Sequence, residues 1–231
     1  MLTKPKKVGQ CVYCGEKRPL TRDHIPPLNL FPEPRANNLI TVPCCESCRE
    51  GWSKDDEYFR AVILCSTRVS EEEIVQGVMA SLLRSLAKPM KQGFARMLLD
   101  SIKQIELETE AGLYLGKSPA LRIDQERINR VAQRIIRGLF FHEKACPVPE
   151  GYEVLAYIQQ FGFDPILEKM QFPKLRVVQN GVFCYTFKET ELDPNSSVWL
   201  ALFYGHLPFV GFTRQPPELR ARSAITTEKS L

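Results

Sequence analysis

The sequence predicts an α+β protein with three parts in chain order: a short ββα module, a helical region and a C-terminal antiparallel sheet. Two pairs of cysteines bracket the first segment, in which two short strand patterns precede a helical one. Apolar residues at helical spacing dominate the middle of the chain, and β-branched and aromatic runs dominate the last third. The predicted boundaries are 1–66 for the module, 67–145 for the helices, 146–213 for the sheet and 214–231 for a polar tail.

The two cysteine pairs are the most specific feature of the module. Cys11 and Cys14 form one C-x-x-C pair, and Cys45 and Cys48 form the other. This spacing points two thiolates at one ion, and four such sulfurs make a closed tetrahedral zinc site. A redox pair would need only one C-x-x-C, near a βαβ pattern that this segment lacks. Cys44 is an alternative to Cys45, but its spacing from Cys48 is one residue too long, so we predict a structural Zn²⁺ on the other four.

The elements between the cysteine pairs follow from local composition. Residues 20–22 form a short strand pattern that leads into Asp23 and His24, and prolines break the chain over 27–38. Residues 39–42 are short and β-branched, which predicts a second strand. A helix is expected from Cys45, because Tyr58, Val62 and Cys65 recur at helical spacing.

A run of residues inside this bracket carries a resemblance. The sequence reads Arg-Asp-His-Ile-Pro over 22–26, and Asn38-Leu39 and the second cysteine pair follow it. With these elements in this order, the first quarter of the chain resembles the HNH endonuclease family, in the branch whose ββα motif is held by a four-cysteine zinc. The resemblance implies a nuclease with His24 as general base, Asp23 as a ligand of a catalytic divalent ion and Asn38 as the residue that holds the loop orienting the histidine. Asn37 is the adjacent alternative.

The chain departs from the family at one position. The family usually places an Asn or His after the second knuckle as another metal ligand, whereas Arg49 follows Cys48 here. Arginine has no acceptor atom and cannot bind a cation. Glu50 is the first candidate for that ligand, and Asp55 or Asp56 would serve if the turn is longer. The competing interpretation is a zinc module that binds nucleic acid or a protein without cutting.

The chemistry explains why these residue types suit a nuclease. Phosphodiester hydrolysis needs an activated water, and imidazole is the side chain whose ordinary pKa lies near neutrality. Mg²⁺ or Mn²⁺ stabilises charge on the phosphate and prefers carboxylate ligands. Adjacent side chains on a regular strand face opposite ways, so Asp23 and His24 share a site only where the strand bulges or ends. Pro26 and Pro27 supply such an end.

Basic residues suggest a nucleic-acid partner, with DNA preferred to RNA. The predicted contacts are Arg22, Arg49 and Lys54. A short arm with Lys4, Lys6 and Lys7 is either a solubilising tail or a phosphate contact. Four arginines in a later helix fall within an arc of about 80° at the helical repeat, so they either follow a phosphate backbone or form an ordinary solvated face. They are Arg127, Arg130, Arg134 and Arg137.

Three helices are predicted in the middle region. Ser70 and Glu73 fit a capping box for a helix that runs to about residue 87, where Lys88-Pro89 breaks it. A second helix is expected from Met90 to about Leu107, with its apolar residues in the core. Residues 106–123 are weakly patterned and predict a loop or short hairpin. Asp124 then caps a helix that runs to about residue 143. Its predicted buried stripe is Ile128, Val131, Ile135 and Leu139.

The last third of the chain predicts an antiparallel sheet backed by helices. Asn180-Gly181 suits a tight hairpin turn between the strand patterns on either side, within 176–185. Residues 197–204 and 208–212 add two more strands. The interleaved aromatic residues are assigned to a packed face in preference to base stacking.

Composition bounds the class of protein. The formal net charge is +4 and 44% of residues are hydrophobic, which permits a DNA partner without demanding one. No apolar run approaches the roughly 18 residues of a transmembrane helix. The basic N-terminus has no apolar segment behind it, so it does not predict a secretory signal. We therefore expect a cytoplasmic protein with reduced cysteines.

Overall fold

The ββα arrangement is present at the N-terminus of the structure, a computed structural model that describes residues 7–66, 73–158, 167, 169–179 and 181–216. Strands β1 (Val8–Gln10), β2 (Lys17–Ile25) and β3 (Ile40–Cys45) form one antiparallel sheet in that order. Helix α1 (Glu46–Leu64) follows β3 directly. The β2–β3 pairing is continuous from Leu20 opposite Cys45 to Ile25 opposite Ile40. Pro26 then ends β2, as the sequence predicts.

The middle region differs from the prediction at its second helix. Helix α2 (Glu73–Leu86) is followed by a 3₁₀ turn (Pro89–Lys91) and by α3 (Gln92–Asp100). The predicted helix to Leu107 is wrong in its second half, because the chain turns at residue 101 and continues as strand β4 (Ile102–Glu108). That strand pairs with β5 (Tyr114–Leu121) as a hairpin. Ser70 of the predicted capping box lies outside the described residues.

The hairpin also explains why the core assignment fails there. Ile102 and Ile105 are 43% and 44% exposed, so they do not belong to the core. A spacing of three residues suits a helix, but cross-strand pairs hold these residues extended, with Ile102 opposite Leu121. Local apolar spacing alone could not separate the two outcomes, since a short run fits both periods.

Helix α4 (Gln125–Lys144) is the central element of the fold. The Asp124 side chain accepts a hydrogen bond of 3.2 Å from the backbone N–H of Arg127, as an N-cap does. Gly138 lets the helix approach β2, because an added Cβ there would lie 2.4 Å from Ile25. The predicted stripe is confirmed, since its four members are fully buried: Ile128, Val131, Ile135 and Leu139.

A five-stranded antiparallel sheet forms the C-terminal part, as predicted. Its strands are β6 (Glu153–Ile158), β7 (Arg176–Gln179), β8 (Phe183–Glu189), β9 (Ser197–Phe203) and β10 (Leu207–Arg214), in the order β6-β10-β9-β8-β7. Strand β6 was not predicted individually. The β7–β8 turn has Gly181 at φ +72°, and Asn180 lies outside the described residues.

One hydrophobic core joins the N-terminal module to the C-terminal sheet. Helix α4 packs on this sheet, where a Cβ at Gly211 would lie 2.4 Å from Ile136. The ring centroids of Phe59 in α1 and Phe203 in β9 lie 5.8 Å apart. The core cluster includes residues of all three predicted parts of the chain. Among the described residues, no helix is both long and apolar enough to cross a membrane.

Candidate functional site

The four predicted zinc ligands lie together at one end of the N-terminal sheet. The sulfurs of Cys11, Cys14, Cys45 and Cys48 are all within 4.8 Å of one another. The Sγ atoms of Cys14 and Cys45 are 3.9 Å apart. A tetrahedral zinc with Zn–S bonds of about 2.3 Å needs sulfurs about 3.8 Å apart. All four thiols are free, so the cluster can bind a metal ion such as zinc.

Backbone geometry places these cysteines. In the first knuckle, Gly15 at φ +73° donates its N–H to the carbonyl of Cys11 at 2.9 Å, which turns the chain back on itself. In the second, Cys45 ends β3 and is the N-cap residue of α1, so Cys48 lies in the first helical turn. The backbone N–H of Cys45 donates to the Cys11 sulfur at 3.3 Å, which joins the two knuckles. A helix N-terminus favours thiolates, the form that binds metal, whereas burial raises the pKa of the Cys48 thiol.

The structure distinguishes Cys45 from its neighbour Cys44. A hydrogen bond from Ser47 is the main cause that lowers the pKa of Cys45 to about 6, which favours the thiolate at neutral pH. Cys44 lies outside the cluster and donates to the carbonyl of Cys45 at 3.2 Å. Burial raises the pKa of the Cys44 thiol, so it stays protonated. The cluster therefore contains the cysteine that the spacing favours.

Asp23 lies in a buried network behind the first knuckle. Its Oδ2 accepts a hydrogen bond of 2.7 Å from the hydroxyl of Tyr13 and lies 3.6 Å from Nε of Arg134. The same guanidinium pairs with Asp56 of α1 and lies 5.0 Å from the ring centroid of Trp52. The network thus connects β2, α1 and α4, and Asp23 already has a cationic partner.

The pKa shifts in this network are those of a buried cluster of charged side chains. Burial raises the pKa of Asp56 to about 6, against the opposing attraction of Arg134. Burial alone would lower the pKa of Arg134, but Asp56 and Asp23 outweigh it and raise the value. Burial also raises the pKa of Tyr13, so its hydroxyl remains a donor. Removing Arg134 would leave the Asp23 and Asp56 carboxylates without their shared cation.

His24 lies on the opposite face of β2. It pairs with Thr41 across a regular ladder, so it and Asp23 point to different sides of the sheet. Burial is the main cause that lowers the pKa of His24, and the positive charges of Arg35 and Arg22 lower it further against the effect of Asp23. The half-buried imidazole is therefore neutral at pH 7 and can accept a proton.

The structure does not bring the predicted ligands of a catalytic divalent ion together. Asp23 is turned away from His24 and is held by Tyr13 and Arg134. Glu50 is exposed on α1. A catalytic Mg²⁺ or Mn²⁺ shared with His24 therefore does not fit the residues as they are arranged. Among the described residues, the four cysteines form the one group of three or more potential metal ligands that lie close enough together to share an ion.

The remaining predicted site residues are exposed or make contacts of their own. The Asn38 side chain donates to the carbonyl of Val177 in β7 at 3.1 Å, which ties the loop to the C-terminal sheet. Asn37 and Lys54 are exposed, and Arg49 forms an exposed ion pair with Glu46 at 3.4 Å. Lys4 and Lys6 lie outside the described residues. The roles that the resemblance implies for these residues stay predictions.

The arginine face of α4 has a role that sequence reasoning missed. Arg127 and Arg130 pair with the two carboxylate oxygens of Asp55 at 2.7 and 2.9 Å. Arg134 pairs with Asp56, which follows Asp55 in α1. These three arginines therefore bind α1 and do not present one row to solvent. The sequence contains a signal for this packing. Asp55 and Asp56 are adjacent acidic residues on one amphipathic helix, and they match the row of arginines on another.

Fold and site together define a class: a mixed α/β protein with an N-terminal four-cysteine cluster that can bind a metal such as zinc. No family model matches the chain, and no curated protein or solved structure is significantly similar to it.

Proposed function

We propose that this protein is a zinc-stapled endonuclease that hydrolyses phosphodiester bonds in DNA with His24 as general base. The observation that supports the proposal is a half-buried imidazole whose pKa is lowered by burial and by the charges of Arg35 and Arg22. Zinc on the four cysteines would join the knuckle between β1 and β2 to the junction of β3 and α1 and take no part in the reaction. The resemblance of residues 22–26 and 38 to the HNH family supports the same reaction class.

The reaction assigns one proton transfer to His24. The neutral imidazole takes a proton from water as the water oxygen forms a bond to phosphorus. The bond from phosphorus to one bridging oxygen breaks, and that oxygen leaves with the electron pair and takes up a proton from solvent, while the protonated imidazole returns its proton to solvent. Arg22 and Arg35 supply positive charge close to the imidazole, which favours an approaching phosphate. RNA offers the same bond, so the preference for DNA is part of the proposal.

A divalent ion is the part of the family chemistry that the arrangement does not accommodate. When bound, Mg²⁺ or Mn²⁺ would stabilise the charge that develops on the phosphate. Asp23, with Glu50 as the second ligand, would have to leave Tyr13 and Arg134 to hold it beside His24. The proton transfer to His24 therefore does not pass through this ion.

A plasmid-nicking assay tests the proposal. Zinc-loaded protein is incubated with supercoiled DNA in Mg²⁺, in Mn²⁺ and in a chelator too weak to remove structural zinc. The His24→Ala variant should lose at least about 100-fold in rate, the lower range for a general base. His206→Ala is the matched control, since His206 lies in the β9–β10 turn. Equal cleavage by wild type and His24→Ala would overturn the proposal.

A second function is favoured by the buried network. Asp23 is engaged by Tyr13 and Arg134, and Arg49 occupies the position where the family has a ligand. Both features suit a non-catalytic zinc module that binds nucleic acid or a protein. Absence of cleavage by wild type under every ion, together with DNA binding that Arg22→Gln weakens, would select this function.

A further inference from the structure

We infer that a cavity between the 29–35 loop, α1 and α2 binds a phosphate group. The cavity has a volume of about 320 Å³ and is lined by three arginines, Arg35, Arg60 and Arg84. Glu33 is the carboxylate on its wall, and it is paired with Arg35 at 2.9 Å. The lining therefore has an excess of positive charge, which favours an anionic ligand.

Arg60 is the residue that points to a ligand. The residue is 8% exposed, and its side chain donates from one terminal nitrogen to the carbonyl of Val78 at 2.7 Å. Its Nε is buried and has no hydrogen-bond partner among the described residues. A buried, charged donor without an acceptor is unfavourable, so a native protein usually supplies one. An anion oxygen seated against the guanidinium would be that acceptor.

A second residue of the cavity lining, Asn29, also has an unpartnered buried atom. The Asn29 amide donates from Nδ2 to the carbonyl of Asp56 at 3.3 Å, which fixes its orientation. Its Oδ1 is buried and has no partner among the described residues. Oδ1 needs a donor, and a hydroxyl on the phosphate or on the attached sugar supplies one. Ser81 adds a hydroxyl that can donate or accept.

The chemistry favours phosphate over a carboxylate. Phosphate offers several acceptor oxygens, so it can bind arginines that approach from different helices at once. Arg60 comes from α1 and Arg84 from α2, whereas Arg35 comes from the loop. Because Nε of Arg60 is buried, we expect the guanidinium to rotate as the phosphate enters, so that this atom can reach a phosphate oxygen.

The cavity has a separate place in the molecule from the cysteine cluster. Arg35 is common to the cavity and to the surroundings of His24, whose pKa its charge lowers. The arginines would bind the phosphate group itself. The phosphate can therefore belong to a free nucleotide or to a nucleic-acid strand. The inference does not depend on nuclease activity, because binding at Arg60 needs no proton transfer to His24.

The test measures binding to the full-length, zinc-loaded protein at constant ionic strength. Inorganic phosphate, a nucleoside monophosphate and a short single-stranded DNA are titrated separately and followed by the NMR signal of the Arg60 Nε–H. Arg60→Lys identifies that signal, because the variant lacks it. We expect the signal to shift and affinity to fall about tenfold in Arg84→Gln, the loss of one charge-assisted bond. Arg96→Gln, an exposed arginine of α3 outside the cavity lining, is the control and should bind as wild type.

Each outcome decides the inference. Binding of the monophosphate or of inorganic phosphate identifies a free phosphate compound as the ligand. Binding of the DNA alone identifies a strand phosphate. An unmoved Arg60 signal with all three probes would overturn the inference, as would equal affinity of wild type and Arg84→Gln. His24→Ala should bind normally, so failure here and failure of the nuclease proposal remain separate results.

Discussion

Nε of Arg134 lies 3.6 Å from Oδ2 of Asp23, and this ion pair holds β2 against α4 in the interior of the protein. The Arg134 side chain is 3% exposed and also pairs with Asp56. The residue that the family resemblance assigns to metal binding thus has a cation of its own. Whether Asp23 serves structure or catalysis depends on how firmly Arg134 holds it.

Replacing Arg134 should destabilise the protein strongly. Arg134→Met leaves two buried carboxylates without a cation, which costs about 3–5 kcal/mol of unfolding free energy. Arg130→Met is the matched control, because the Arg130 side chain is 50% exposed and its pair with Asp55 is worth about 0–1 kcal/mol. Urea denaturation of both variants measures the difference. Equal loss of stability in the two variants would show that the buried network contributes no more to the unfolding free energy than the exposed ion pair does.

The cysteine cluster should hold one zinc that the fold requires. Metal analysis of the purified chain should give one zinc, and Cys45→Ser should lose it together with the cooperative unfolding transition of the module. Structural zinc contributes about 10–16 kcal/mol in zinc-finger peptides at pH 7, more than most domains can lose. Cys65→Ser is the control, since Cys65 is an exposed cysteine outside the cluster. A folded chain with no bound metal would contradict the prediction.

The imidazole of His24 should titrate below the ordinary value of about 6.5. Because its pKa is lowered in the folded protein, the unfolded state binds more protons between the folded value and 6.5. The neutral imidazole therefore contributes stability above pH 6.5 that is lost as the pH falls toward the folded value. NMR titration of the three histidines measures it, with His24→Ala to assign the signal.

The charge of Arg35 gives this titration a matched pair of variants. Arg35→Gln removes a positive charge that lowers the pKa of His24, so the midpoint should rise toward 6.5. Arg96→Gln, which does not act on His24, should leave the midpoint unchanged. A His24 midpoint above 6.5 in the wild type would contradict the neutral base on which the nuclease proposal depends.

Two helical glycines should respond in opposite directions to alanine. A Cβ at Gly138 would lie 2.4 Å from Ile25, so Gly138→Ala should cost about 1–3 kcal/mol through overpacking. A Cβ at Gly51 in α1 would meet nothing within 4 Å, so Gly51→Ala should stabilise by about 1 kcal/mol through helix propensity. Thermal unfolding compares the two variants. A stabilised Gly138→Ala would mean that α4 does not pack closely on β2.

The sequence predicts most of the elements whose signals are local. Each of these signals lies within a few neighbouring residues. The examples are the paired cysteines, the Asp124 cap, the apolar stripe of α4 and the C-terminal strands. The first strand of the hairpin after α3 is predicted as helix because Ile102 and Ile105 fit either period, and pairing with β5 decides between them. Such pairing depends on residues more than ten positions away, which a local pattern does not contain.

The candidate site shows the same limit at the level of side chains. The spacing of the cysteines was enough to group them, because a tetrahedral ion leaves little geometric freedom. The direction of Asp23 was not predictable, since its partners Tyr13 and Arg134 come from a knuckle and from a helix more than one hundred residues away. Only the folded chain shows which carboxylate meets which cation.

The close approach of α4 to both sheets limits how the protein can be shortened. A fragment cut after residue 66 would lose the helix that covers Ile25 and would expose Phe59, which is fully buried against β9. The severed surface would be apolar and would tend to aggregate. Recombinant work on the metal-binding end should therefore begin with the intact polypeptide. For the same reason, a transfer of the N-terminal module to another protein during evolution would have to include α4.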